Sequence, residues 1–236
     1  MKQPISEVYH GDCMDFMRNL PDGYFDLVLA DPPYGIFGAG GGASQQRSNG
    51  LKKQGSGGTW AKKYGDKAGK WDEAPGDDFF NELNRVSKEQ IIWGANHFGF
   101  PFDNFVVWDK WIPEDFTMGM VEVASVSCKG NPKMFSVRTQ GNANNKRFHP
   151  TQKPIPLYKY LLTNYAKPGQ KIFDPMMGSQ SSRIAAWDMG FDYFGCEKDD
   201  DYYRDGCDRF EAHIKKPVLF APDQMYNFEQ AKLFQE

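Results

Sequence analysis

Phe25-Asp26-Leu27-Val28-Leu29-Ala30, an apolar run of strand length, leads straight into Asp31-Pro32-Pro33-Tyr34-Gly35. Two consecutive prolines each fix φ and remove a backbone donor, so a strand arriving here has to end. A run this short and this apolar suits a strand buried on both faces, as in parallel sheets. Upstream, residues 7–11 read as a short strand ending at Gly11-Asp12, and Met14, Met17 and Leu20 recur at helical spacing over residues 13–20. Pro21-Asp22-Gly23 then turns the chain into the apolar run. Strand, helix and strand in this order predict a βαβ unit with a right-handed crossover, and so an α/β fold. In open sheets of that kind the chemistry sits outside the carboxyl ends of the strands, where Asp31 falls.

The remaining elements follow the same logic. Residues 77–87 predict an amphipathic helix through Phe79, Phe80, Leu83 and Val86, and residues 91–93 and 105–108 predict short strands. Residues 120–128 alternate at period two and residues 134–137 follow as another strand, with an antiparallel strand expected at the sheet edge. Residues 154–166 form a helix opened by proline, residues 171–173 a strand ending at Asp174, residues 181–189 a helix, residues 193–196 a strand ending at Glu197, and residues 200–214 a helix. That is a second βαβ unit. The aromatic-containing tail at 217–236 is expected to pack on the body.

A length of 236 residues fits one α/β domain with insertions, and 40% hydrophobic residues supply its core. Cys13, Cys128, Cys196 and Cys207 lie far apart, and with four histidines they argue against a zinc cluster or a disulfide framework. The expectation is a reducing cytoplasm, no metal requirement and no membrane association, there being no signal peptide or long apolar run. A net charge of −3 does not announce a polyanion partner, so any such signal has to be local. Two local signals exist. Residues 37–70 are glycine-rich and carry Arg47, Lys52, Lys53, Lys62, Lys63, Lys67 and Lys70 against the single acid Asp66, predicting a mobile basic loop. Residues 129–159 hold no acid at all but include Arg138, Lys146, Arg147 and Lys153. Such runs often form a plain solvated face; two of them in an acidic chain point instead to opposite walls of a nucleic-acid cleft.

The bend at 31–35 is an inventory of acceptors and an aromatic face. An exocyclic amine on a nucleobase is a poor nucleophile because its lone pair is delocalised into the ring. The Asp31 carboxylate and the Pro32 carbonyl can grip its two N–H bonds, while Tyr34 offers a stacking surface. A plain proline turn, with Asp31 as a cap and Tyr34 as packing, stays open on these residues alone. At Asp174-Pro175-Met176-Met177-Gly178-Ser179 a tight loop joins strand to helix, and Glu197 stands one strand–helix–strand unit later, where an acid accepts from ribose hydroxyls. Together they describe a pocket for a nucleoside with a charged tail.

Asp31-Pro32-Pro33-Tyr34 resembles the catalytic motif of the DNA amino-methyltransferases that modify adenine N6 or cytosine N4. Residues 174–179 resemble that family's S-adenosylmethionine loop, His149-Pro150-Thr151-Gln152-Lys153-Pro154 the segment lining the methionine end of the cofactor, and Gly11-Asp12 the position touching its adenine. With the catalytic motif first and the cofactor motif last, the order resembles the circularly permuted β class. The resemblance implies a Rossmann-like class I methyltransferase domain over 1–236, a seven-stranded-type sheet, and target recognition within 94–150. It implies S-adenosyl-L-methionine as cofactor, held by Asp12, Asp31, Lys153, Asp174, Pro175, Met176, Gly178, Ser179, Gln180 and Glu197, with Asp31, Pro32, Pro33 and Tyr34 catalytic. DNA is the implied partner, gripped by Arg47, Lys52, Lys53, Lys62, Lys63, Arg138, Lys146 and Arg147, and a homodimer and a cognate restriction endonuclease are compatible further partners. Asp at position 31 leans towards N6 of adenine; N4 of cytosine, an RNA substrate, and a non-catalytic DNA-binding protein remain open alternatives. The last is motivated by Gln180, which stands where the family's loop ends in glycine.

Overall fold

The computed structural model describes residues 3–35, 72–100, 103–114, 119–139 and 148–216. The loop expected at 37–70, the tail at 217–236 and the central part of the second basic stretch lie outside them. Along the chain the described elements are β1 (Ser6–His10), α1 (Cys13–Arg18), β2 (Phe25–Ala30), α2 (Asp77–Val86), β3 (Ser87–Trp93), α3 (Ala95–Phe98), β4 (Phe105–Asp109), β5 (Val121–Val126), β6 (Lys133–Ser136), α4 (Ile155–Tyr165), β7 (Lys171–Asp174), α5 (Ser181–Asp188), β8 (Asp192–Glu197) and α6 (Asp200–Ile214).

One sheet collects all eight strands in the order β1-β8-β7-β2-β3-β5-β4-β6. Its central strands read as apolar runs because both faces are covered. On β2, Leu27 and Leu29 join a core with Leu157, Leu161, Ala185 and Ala186 of α4 and α5. Val28 and Ala30 join the opposite core with Cys13, Met17, Phe79 and Leu83 of α1 and α2. Ile172 and Phe173 of β7 divide between the same two cores, as the period-two geometry of a strand requires. Helices on both faces of a largely parallel sheet give the expected Rossmann-like α/β architecture. Among the described residues no helix is long and apolar enough to cross a membrane.

Several local expectations need correction. Among the described residues the sheet has eight strands, where a seven-stranded type was expected. Its antiparallel member is β5, paired antiparallel to both β3 and β4, so it lies inside the sheet and not at its edge. Strands β1 and β2 belong to one βαβ unit but do not touch; β8 and β7 lie between them. β3 begins at Ser87, directly off α2, because Ser87 pairs with Phe25 although its neighbours Lys88, Glu89 and Gln90 look loop-like. The short helix α3 was not expected; it is set between Gly94 and Gly99, both at positive φ.

Candidate active site

The β2 and β7 ends that carry the two sequence motifs are adjacent. Val28 faces Phe173 in a parallel ladder, so Asp31 and Asp174 leave the sheet at the same edge. At the first of these ends the proline pair stops β2 and turns Asp31 inward. Its Oδ1 accepts from the Tyr34 hydroxyl at 2.7 Å and from the Lys153 ammonium at 2.6 Å. Pro32 is buried and Pro33 partly so, which fixes the bend. The Tyr34 ring stacks on His97 with centroids 5.0 Å apart. It also meets Phe98 edge-on and lies against Gly94, where a Cβ would come within 2.2 Å of the ring, so only glycine leaves room for it there.

Lys153 was expected at the methionine end of a cofactor. In the structure its ammonium is shared by two carboxylates, Asp31 and Glu122, the latter at 3.0 Å, and lies 5.2 Å from the Trp93 ring centroid. Glu122 in turn receives Lys110 at 2.6 Å. Lys110 and Lys153 are only 5% and 3% exposed, so neither charge is a solvated surface group. The result is an alternating row of cation, anion, cation, anion running from Lys110 to Asp31. Burial pushes the Asp31 carboxyl above the usual carboxylate range, Lys153 and Tyr34 pull it back, and nearby Glu122 adds to the rise. Burial works against a charged Glu122 too, but its two lysines win and hold it at about 2. Burial opposes the charge on Lys153, yet the two acids raise its pKa above that of an ordinary lysine.

The second end is the loop 174–180. Asp174 Oδ2 accepts from the Ser182 hydroxyl at 2.5 Å and Oδ1 from the Met176 amide at 3.1 Å, while burial pushes its pKa up to about 7. Glu197, at the end of β8, accepts from the Gly178 amide through Oε2 and from the Asp199 amide through Oε1, both at 2.9 Å. Gly178 has φ +45°, and a Cβ there would approach His149 Nε2 to 3.0 Å, so the loop and the His149 segment are in close contact. Ser179 is buried, and its carbonyl accepts from Arg209 at 2.6 Å. Pro175 is buried and Met176 packs partly against the α1–α2 core. Asp12 caps α1 through the Met14 amide, beside the Gly11 amide that donates to the Glu197 carbonyl. Asp12, Glu197, Asp174 and Asp31 thus follow the carboxyl ends of β1, β8, β7 and β2, four successive strands of the sheet.

Gln180 answers the question its sequence raised. It holds the left-handed conformation, φ 57°, that a glycine would supply at this place. Its side chain is fully buried and turned towards α6: Oε1 accepts from Arg183 at 2.9 Å, and Nε2 lies 3.4 Å from the Tyr203 carbonyl. The inner side of the loop is therefore not crowded by it.

Of the eight basic residues expected on DNA, Arg138 is described; Arg47, Lys52, Lys53, Lys62, Lys63, Lys146 and Arg147 lie outside the described residues. The Arg138 guanidinium stands 4.9 Å from the ring centroid of Trp111, a residue 65% exposed and held at φ 51° with its amide on Asp109 Oδ1. Sequence reasoning passed over Trp111, His97, Lys110 and Glu122. For the last two a signal existed: each continues the inward phase of its strand, Lys110 after Val106 and Trp108, Glu122 before Ala124 and Val126.

Known proteins share the sequence pattern and the fold. The sequence model of the N6/N4 DNA methylase family matches residues 43–207. The chain is 26% identical over 230 residues to the candidate methylase YubD of Escherichia coli (strain K12), covering 88% of this chain and 91% of that one. It is 23% identical over 257 residues to the type II methyltransferase M.HinfI of Haemophilus influenzae, covering 86% and 68%. Among solved structures, M1.HpyAVI in complex with SAM aligns with a TM-score of 0.54 at 16% identity over 89% of this chain and 99% of that one. The cytosine-N4-specific PvuII DNA methyltransferase aligns with a TM-score of 0.55 at 12% identity over 99% and 95%.

Proposed function

Because the chain belongs to the N6/N4 DNA methylase family, we propose that it transfers a methyl group from S-adenosyl-L-methionine to N6 of an adenine flipped out of DNA. The observation that carries this reading is the pairing of β2 with β7, which sets Asp31 beside the loop 174–180. The loop suits a nucleoside bearing a charged tail. Glu197 is oriented by two backbone amides and retains lone pairs for ribose hydroxyls, and Gln180 turns its side chain out of the way. Bound there, S-adenosyl-L-methionine supplies a methyl group activated by a sulfonium. Asp12, Glu197 and the backbone of 174–179 are the residues that would hold it.

The chain's own part is to present the amine. Among the described residues, both donors to Asp31 converge on Oδ1, which leaves Oδ2 to accept one amine N–H while the Pro32 carbonyl accepts the other. Asp31 need not be a strong base. The amine becomes acidic only as its lone pair forms the new N–C bond, so position and charge matter most. The released proton then passes to Oδ2 or to water. Tyr34 offers a ring to the base, on the face His97 now occupies or the face opposite. The non-catalytic alternative loses its motive once Gln180 is seen to avoid the loop's inner side. N4 of cytosine stays as the second reading, favoured by the similarity to the PvuII enzyme. The deciding experiment incubates unmethylated DNA with labelled cofactor and digests it to nucleosides. Labelled N6-methyladenine supports the proposal, N4-methylcytosine replaces it with the second reading, and no label in either refutes both.

A further inference from the structure

We propose that Glu122, itself anchored by Lys110, is a positioning residue for methyl transfer: it fixes the Lys153 ammonium, and through it the direction and acceptor strength of Asp31. The inference rests on the transfer reading above and adds Glu122 on β5 and Lys110 just past β4, outside the segments 11–12, 31–34, 149–154 and 174–179.

The geometry is closed. The Lys153 ammonium forms ion pairs with Asp31 Oδ1 at 2.6 Å and with Glu122 Oε2 at 3.0 Å, the latter without hydrogen-bond geometry, and the Tyr34 hydroxyl is 3.5 Å away. A lysine stem has four rotatable bonds, and an ammonium with a single partner can swing about it. Two carboxylates on different strands remove that freedom. Glu122 has no comparable freedom either, since Lys110 takes Oε1 at 2.6 Å. With Lys153 held, Oδ1 of Asp31 is fixed between it and Tyr34, and Oδ2 is the oxygen that neither of them takes. A misplacement of about 1 Å at a reacting group costs on the order of 100-fold in rate, so such a brace has catalytic weight.

Charge provides the second half. A lone buried ammonium on Asp31 would neutralise it and make it a weak acceptor. Shared with Glu122, the same ammonium draws less from Asp31, and the nearby Glu122 anion raises the Asp31 proton affinity further. The groups facing Asp31 are Lys153 from the segment before α4, Glu122 from β5 and Tyr34 from its own bend, with Asp174 from β7 and Tyr158 from α4 also within electrostatic reach. Removing the negative charge at Glu122 therefore lowers the Asp31 pKa; removing the positive charge at Lys110 raises it. A residue that merely holds the fold would not produce opposite shifts from its two halves.

The test uses the full chain, unmethylated genomic DNA and labelled S-adenosyl-L-methionine. Glu122→Gln is expected to lower kcat by roughly 10- to 100-fold with KM for cofactor and DNA little changed, and to move the acid limb of the kcat profile to lower pH. Lys110→Met is expected to move that limb to higher pH. Asp174→Asn and Glu197→Gln identify which limb belongs to Asp31, since burial raises both of those site carboxyls as well. Wild-type kcat with an unmoved limb in Glu122→Gln, or shifts of the same sign in both variants, overturns the proposal. Should Glu122→Gln melt before assay, the Lys110→Met limb decides alone: unmoved, it sinks the idea. A wild-type chain that transfers no methyl group refutes the functional reading itself, a result distinguishable from either of these.

Discussion

Gln180 and Gly206 occupy one volume between them: a Cβ built on Gly206 would come within 2.7 Å of the Gln180 amide nitrogen and 2.8 Å of its Cγ. Alanine normally stabilises a helix interior over glycine by about 0.5–1 kcal/mol. Here the gain reverses, because the fully buried glutamine is tied to Arg183 and cannot retreat. Gly206→Ala is expected to destabilise by about 1–3 kcal/mol, as overpacked cores do. Gln180→Gly relieves the left-handed backbone but leaves a hole and an unpaired Arg183 donor. The double variant Gln180→Gly with Gly206→Ala should recover much of the loss, and additive melting-temperature changes across the four proteins would disprove the coupling.

The Asp31 carboxylate and the Tyr34 hydroxyl separate by substitution. Asp31→Ala should reduce methyl transfer by at least about 100-fold while calorimetric affinity for S-adenosyl-L-methionine holds, since the loop 174–180 does not depend on it. Tyr34→Phe keeps the ring over Gly94 and loses only the donor to Oδ1, so a milder loss is expected than from Tyr34→Ala. Equal losses from the two tyrosine variants would mean that the ring itself contributes nothing.

Asp174 makes stability fall with rising pH. Its folded pKa of about 7 exceeds the unfolded value, so the native state keeps a proton there that the unfolded chain releases near pH 4. Between those values the unfolded chain binds fewer protons, and stability declines as pH rises until the folded carboxyl also ionises. The group is buried, and the effect amounts to roughly 4 kcal/mol at most. Asp174→Asn should flatten this slope between about pH 5 and 7 in denaturant melts. A slope unchanged from wild type would place the proton elsewhere.

On duplex DNA, every phosphate that a cation ceases to neutralise lowers the salt dependence of binding by about one unit of slope. Arg138→Ala should reduce it by that amount, and Lys146→Ala with Arg147→Ala by about two. Anisotropy titrations over a range of salt concentrations read this directly. A slope identical to wild type removes the residue from the interface.

Most of the sheet was legible because its central strands announce themselves. The Phe25–Ala30 run and the strand ending at Asp174 are apolar on both phases, which local sequence displays. Strand order is not local: nothing in the sequence of residues 121–126 says that β5 inserts between β3 and β4 rather than closing the edge. The α3 helix has four residues, too few for periodicity to register. At the site, Asp31, Asp174 and Glu197 stood out because each ends a strand beside a turn. Lys110 and Glu122 did not, because a charged residue just past a strand or within an alternating one is ordinarily read as facing water. Only their inward phase betrayed them, and that phase has meaning once the core side is known.

The partner of β1 is β8, and the carboxyl-side neighbour of Asp31 is β7, both made from residues beyond 170. In the native sheet the first two strands are thus separated by two strands made from the last third of the chain. Pairings this distant in sequence form slowly. An amino-terminal fragment ending before β7 and β8 lacks half of the site, and cuts between residues 139 and 148, ahead of Lys153 and α4, should yield halves that are inert alone but able to regain activity on reassociation.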